Sequence, residues 1–158
     1  VDKEEIMSLN VKDIIDHKLI DLDLNASNKK EAISRLAQLL AKQNYIVDQD
    51  LFVKDVYLRE EEGITGMGNN VAIPHGKSAG VLKPCLAIGK TSQLIEWESY
   101  DEKPVVLIFL FAVPANQEGV TIHLKLLSQV AAKLADESTL KQLKDEDDVE
   151  RFIKILSR

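Results

Sequence analysis

Hydrophobic and polar positions change their period several times along the chain, and each change marks an element. Residues 19–24 read Leu-Ile-Asp-Leu-Asp-Leu, apolar and acidic mostly in alternation, which predicts a half-buried edge strand. Asn28 stands three residues before Glu31, a capping-box variant, ahead of Ile33, Leu36, Ala37, Leu39 and Leu40 at helical spacing. This predicts a first long helix ending near Asn44. A second is predicted after Asp48, carrying Leu51, Phe52, Asp55, Val56 and Leu58, with Arg59 in its last turn before Glu60-Glu61-Glu62-Gly63 stops it. Gly63, Gly66 and Gly68 then predict a loop. Val71-Ala72-Ile73 reads as a short buried strand closed by Pro74, which leaves His75 at a strand end.

Further strands are predicted over 85–89 and over 105–113, the second apolar on both faces as a central strand should be. Residues 114–119 read as a loop. From Val120 the stripe Val120, Leu124, Leu127, Ala131 and Leu134 predicts a helix, followed by a short one near 140–143. Asp147 or Asp148 is placed to cap a last helix carrying Val149, Phe152, Ile153 and Leu156. All four prolines, Pro74, Pro84, Pro104 and Pro114, punctuate the region 74–114, the expected sheet. The expected fold is α/β, a layered domain with a central mixed β-sheet flanked by helices on both sides. Residues 1–158 are expected to form a single domain.

Composition narrows the function classes. At 158 residues, 45% hydrophobic and 29% charged, the chain suits one ordinary core rather than disorder or a disulfide scaffold. A net charge of −6 offers no basic footprint for nucleic acid or an anionic membrane. The apolar run 105–113 is about half of what a membrane-spanning helix needs. A lone cysteine, Cys85, and an N-terminus without a basic segment and apolar run point to a cytoplasmic setting. Cys85 follows Pro84 into an apolar strand, where a buried, inert thiol is expected.

Candidate chemistry centres on the histidines, the side chains whose ordinary pKa lies near neutrality. His17, among charged neighbours in Ile15-Asp16-His17-Lys18, reads as a solvated surface residue. His75 lies in Ala72-Ile73-Pro74-His75-Gly76, where proline fixes the backbone before it and glycine removes a side chain beside it. A glycine loop suited to anions and the Arg59 guanidinium nearby in sequence favour phosphoryl chemistry there. His123 falls in the first turns of the 120–134 helix, where the helix terminus lowers an imidazole's pKa and attracts anions. Neither nucleotide-binding glycine pattern is present, no zinc spacing occurs, and Ser78 and Ser128 lack a nucleophile-elbow context. Trp97 is expected to pack a loop onto the sheet.

The segment EEEGITGMGNNVAIPHG, residues 60–76 with Arg59 just before it, resembles the active-site signature of the enzyme IIA family of the bacterial phosphoenolpyruvate-dependent sugar phosphotransferase system, fructose/mannitol class. PVVLIFLFAVP, Gly119 and His123-Leu124-Lys125-Leu126-Leu127-Ser128 are also similar to it, so the resemblance runs from about residue 10. Asn70 departs from the glycine common in the family, although Asn tolerates left-handed backbone well. The resemblance implies that His75 accepts a phosphoryl group from phospho-HPr and passes it to a cysteine of a cognate enzyme IIB, in the fructose branch of sugar uptake. His123 and Arg59 would support the transfer, with Thr65, Gly66, Gly68, Asn69 and Asn70 as the phosphate-binding loop. Membrane IIC would be an indirect partner, and no cofactor, metal, nucleic acid or membrane insertion is implied. The alternative within the family is a regulatory enzyme IIA, nitrogen-related or attached to a regulator, whose phosphohistidine is a signal. Docking should use an apolar patch around His75, with Met67 and Val81 expected at its rim.

Overall fold

Ten consecutive residues with no charge, from Val105 to Pro114, have no amphipathic solution other than burial on both faces, and the rest of the fold is arranged around them. A computed structural model describes residues 4 and 8–158 of the chain. Its elements are α1 (Val11–Ile14), a 3-10 turn (His17–Leu19), β1 (Ile20–Asp21), α2 (Lys29–Lys42), α3 (Gln49–Glu62), β2 (Gly66–Gly68), β3 (Val71–Ala72) and β4 (His75–Ser78). They continue with β5 (Cys85–Ile95), β6 (Val105–Pro114), α4 (Gln117–Ala135), α5 (Glu137–Asp145) and α6 (Val149–Ser157). The sheet is mixed, in the order β1-β5-β6-β3-β2, with β4 also paired to β6. β5 runs antiparallel to β6, and β3 and β4 lie parallel to it one after the other along the same edge.

Period-two alternation in β6 builds two cores. Leu107, Phe109, Phe111 and Val113 face α4, α5 and α6; Ile108, Leu110 and Ala112 face α2 and α3. The expected α/β layered fold with helices on both sides is therefore the observed one. Asn28, Asp48 and Asp148 cap their helices as the sequence indicated, each side chain accepting from a backbone N–H three residues on. Cys85 is buried, and burial pushes its thiol up to about 12, so it stays protonated. No described helix is long and apolar enough to cross a membrane.

Several expectations are corrected. The strand at 19–24 shrinks to Ile20–Asp21, because Asp16 caps a 3-10 turn that consumes Leu19. The glycine loop contains strand β2, and His75 opens β4 rather than closing a strand. β5 continues to Ile95, well past Gly89, because Lys90 is held in place rather than turned out. The helix expected from Val120 begins at Gln117, capped by Asn116, and its buried stripe is Gly119, Ile122, His123, Leu126, Val130 and Leu134. Leu124 is 60% exposed instead. The leucine pattern misled because Gly119 and His123, not counted as apolar, occupy the buried line.

Lys90 explains its own burial. Its Nζ donates to the carbonyls of Lys144 (3.2 Å) and Glu146 and reaches Asp147 Oδ1 at 2.9 Å, so it satisfies acceptors at the C-terminal end of α5. Replacing it by methionine leaves those acceptors without a donor, at a cost of about 2 kcal/mol. Lys90→Met should therefore lower the melting temperature by about 5 °C in a thermal scan. An unchanged melting temperature would contradict this role.

Candidate functional site

Three elements meet at the open side of β4. Register pairs His75 with Phe111 and Lys77 with Val113, so His75 and Lys77 share the face of β6 that looks toward α4. The intervening Gly76 faces α3: a Cβ there would stand 2.7 Å from Val56 Cγ2 and 2.9 Å from Phe52 Cε1. Only glycine lets α3 pack this closely, and that packing brings Arg59 to the site. Gly119 does the same for α4, since a Cβ on it would lie 2.5 Å from the Pro114 carbonyl oxygen. Asn116 Oδ1 accepts from the Gly119 N–H at 2.6 Å and fixes the first turn. His123 follows one turn later.

The result is a cavity of about 440 Å³ lined by Asp55, Leu58, Arg59 and Glu62 of α3, His75 and Lys77 of β4, Val113 of β6, and Val120 and His123 of α4. The rings of His75 and His123 lie 4.7 Å apart, centroid to centroid, tilted by 38°, and His123 also meets Phe111 edge-on at 5.2 Å. Nδ1 of both His75 and His123 is buried without a hydrogen-bond partner among the described residues. Arg59 donates to the Gly63 carbonyl at 3.3 Å, and neither it nor Lys77 forms an ion pair with a described residue. A larger cavity of about 580 Å³ holds no histidine, and its lining includes Glu96, Glu98 and Glu102.

Burial, and next the Arg59 charge, lower the pKa of His75, with the Ile73 backbone, Glu60 and Glu62 acting in the opposite direction. His123 is lowered further, to about 4, by burial first and then by His75 and Arg59. Both rings are thus biased toward the neutral form, which has a free lone pair for nucleophilic attack. For a histidine whose folded pKa lies below its unfolded value near 6.5, the unfolded chain takes up the proton first as pH falls. The His123 contribution is fully present above about 6.5 and is lost progressively down to about 4, about 3 kcal/mol in all. Denaturant titrations at pH 7 and pH 4.5 should record that loss. In His123→Phe, which carries no proton, it should largely vanish; an identical loss in the variant would contradict the assignment.

The structure brings His75, His123 and Arg59 together and does not bring the segment 65–70 to them. Thr65, Gly66, Gly68, Asn69 and Asn70 are absent from the lining of the cavity. The segment proposed as a phosphate-binding loop thus stands apart from these three residues, and two of its backbone donors are already engaged. Gly66 donates to the Glu98 carbonyl (3.1 Å) and Asn69 to the Asp101 carboxylate (2.9 Å), a group that would repel an anion. Asn69 and Asn70 hold left-handed backbone at φ 56° and 68°, so Asn70 does adopt the conformation a glycine would give. The apolar rim is corrected: Val81 is buried in the α2/α3 core, and Met67 packs near Ala131 and Leu134. Leu58, 48% exposed, stands at the cavity instead. Lys77, Asp55 and Glu62 join the site beyond the residues expected from sequence, and 75/77 alternation on a strand and 55/59/62 spacing on a helix carry their signal.

Comparison with known proteins places these residues in a family. Residues 13–158 match the family model described as "Phosphoenolpyruvate-dependent sugar phosphotransferase system, EIIA 2". A similar protein is the 2-O-alpha-mannosyl-D-glycerate-specific EIIABC component of that system in Escherichia coli, 34% identical over 137 residues, covering 86% of this chain and 20% of the relative. The fructose-specific EIIABC component of Bacillus subtilis is 27% identical over 150 residues, covering 95% of this chain and 23% of the relative. The chain thus spans about a fifth to a quarter of the length of these two relatives. Among solved structures, the nitrogen regulatory protein IIA-Ntr of Neisseria meningitidis superposes with a TM-score of 0.84 at 32% identity, covering 93% of this chain and 99% of that one.

Proposed function

The chain belongs to the EIIA 2 family of the phosphoenolpyruvate-dependent sugar phosphotransferase system, and from that premise we propose that His75 is its phosphoryl acceptor and donor. In this reading His75 takes the group from phospho-HPr and passes it to a cysteine of a cognate enzyme IIB, which serves a membrane IIC in sugar uptake of the fructose branch in the cytoplasm. The observation that carries it is the pairing of two neutral-biased imidazoles 4.7 Å apart with Arg59, which has no carboxylate partner among the described residues, around one cavity. Because Nδ1 of His75 is buried, this reading places the phosphoryl group on Nε2.

The His75 lone pair attacks phosphorus while the donor's P–N bond breaks and its electron pair returns to the donor imidazole. Phosphorus exchanges one histidine nitrogen for another, so the step is nearly balanced and consumes no nucleotide. The loose transition state needs positioning and positive charge on its equatorial oxygens. Arg59 supplies a fork on one side, and Lys77 can reach the same group from the other, since residues two apart on a strand sit about 7 Å apart on one face. In the second step the IIB thiolate attacks phosphorus and the electron pair of the P–N bond returns to His75. Leu58, 48% exposed, with Asp55 and Glu62 beside it in the cavity lining, suits a small, transient contact with a basic and apolar partner surface.

A second reading, a regulatory enzyme IIA, is favoured by the likeness to the nitrogen regulatory protein at 0.84. One assay separates the two. The phosphorylated chain is mixed with candidate IIB domains: passage of label to a IIB cysteine supports the transport relay, and retention of label on the chain with every IIB supports the regulatory one.

A further inference from the structure

We propose that Lys29 is a positioning residue for phosphoryl transfer, an ammonium that ties the last turn of α3 to the connection behind His75 so that Arg59 and His75 keep their spacing. The proposal rests on the function assigned to His75 above.

Lys29 opens α2, where a cation opposes the helix dipole, so the helix itself gives no reason for it. Its Nζ lies 2.5 Å from Glu60 Oε1, 2.6 Å from Glu98 Oε2 and 4.9 Å from the centre of the Trp97 ring. Burial works against this ammonium, yet its pKa is raised because Glu60 and Glu98 outweigh burial. Two lines of contact lead from it to the site. Through Glu60 it holds the helical turn that carries Arg59: successive helical residues point about 100° apart, so Glu60 turns inward toward α2 while Arg59 faces the cavity. Through Trp97 and Glu98 it holds the approach to His75. Trp97 Nε1 donates to Thr65 Oγ1 at 2.9 Å, Gly66 N–H donates to the Glu98 carbonyl at 3.1 Å, and Ile73 N–H donates to the Thr65 carbonyl at 2.9 Å. Ile73 is two residues before His75. The segment 65–66 thus serves as a brace for the catalytic strand.

Glu60 makes the arrangement conditional on Lys29. Its side chain is 6% exposed, and its second oxygen, Oε2, is buried with no hydrogen-bond partner among the described residues. A buried carboxylate deprived of its cation seeks another. The neighbouring cation in sequence is Arg59, whose guanidinium has no carboxylate partner among the described residues. Without Lys29, Glu60 and Arg59 would draw together and the charge would leave the cavity.

The test is the single-turnover rate of phosphoryl uptake from phospho-HPr, measured with wild type, Lys29→Met, Lys29→Arg and Lys90→Met, each scaled to its folded fraction by circular dichroism. Lys29→Met is expected to take up phosphate about tenfold more slowly at saturating donor, with the half-saturating donor concentration within about twofold of wild type. Lys29→Arg is expected within about threefold of wild type, because it restores the charge. Lys90→Met, a buried lysine in a network away from the site, should melt earlier and transfer normally. If Lys29→Met does not fold, Trp97→Phe takes its place: it keeps the ring and removes the bond to Thr65, and about threefold slower uptake is expected. Wild-type rates in Lys29→Met, or in Trp97→Phe where it substitutes, would overturn the proposal, as would Lys29→Arg being as slow as Lys29→Met. A wild-type protein that takes no label on His75 would instead overturn the function on which the proposal rests.

Discussion

His75→Ala is expected to abolish labelling by phosphoenolpyruvate, enzyme I and HPr, with any residual uptake at least about 10³-fold below wild type. The other histidines do not substitute for it. His123 is 8% exposed, more buried than His75, and its ring packs against both His75 and Phe111. His17 lies in an exposed 3-10 turn outside the cavity. Loss of labelling should leave the fold in place, because His75 is only partly buried at the open side of β4. Scintillation counting of the trapped protein reads the result directly. Labelling of His75→Ala to the wild-type level would remove His75 from the mechanism.

Arg59→Ala should slow uptake by about 100-fold, comparable to removing one preorganised donor from a charge-stabilising site. The cavity contains two cations and two carboxylates, Arg59 and Lys77 against Asp55 and Glu62, before a phosphoryl group adds about two negative charges. Without Arg59 the carboxylates outnumber the cations just as further negative charge arrives. The same change should raise the pKa values of both histidines, since Arg59 lowers each of them. Ring-proton titration by NMR would record that rise beside the kinetic loss. Arg59→Lys should recover part of the rate, a point charge replacing a fork. The fold should survive, because the guanidinium's hydrogen bond is a long one to the Gly63 carbonyl at a helix end. Wild-type kinetics in Arg59→Ala would show that the guanidinium does not act on the transferred group.

Much of this site was legible in the residues. Pro74, His75 and Gly76 announced a placed, approachable imidazole, and the structure supplies the reason for the glycine: Phe52 and Val56 occupy the space of its missing Cβ. Asn28, Asp48 and Asp148 marked helix starts because a capping side chain acts locally and leaves its mark in sequence. What stayed hidden depended on contacts between distant segments. The bond from Trp97 to the Thr65 hydroxyl joins residues 32 apart and leaves no mark in the local sequence. Lys90 read as the end of a strand until the carbonyls near Lys144 gave its ammonium a buried place. The buried α4 stripe differs from its leucine pattern because a glycine and a histidine take two of its positions, one for close packing and one beside the cavity.

The central claim is that phosphate resides on His75, and its most direct measurement is site mapping. The wild-type protein would be phosphorylated by HPr, trapped at alkaline pH where phosphohistidine survives, digested and analysed by fragmentation mass spectrometry. The account predicts the phosphoryl group on the peptide containing Ile73-Pro74-His75-Gly76, on the histidine, with His123 and every hydroxyl unmodified. Phosphate on His123, on a serine or threonine, or on no residue would contradict it.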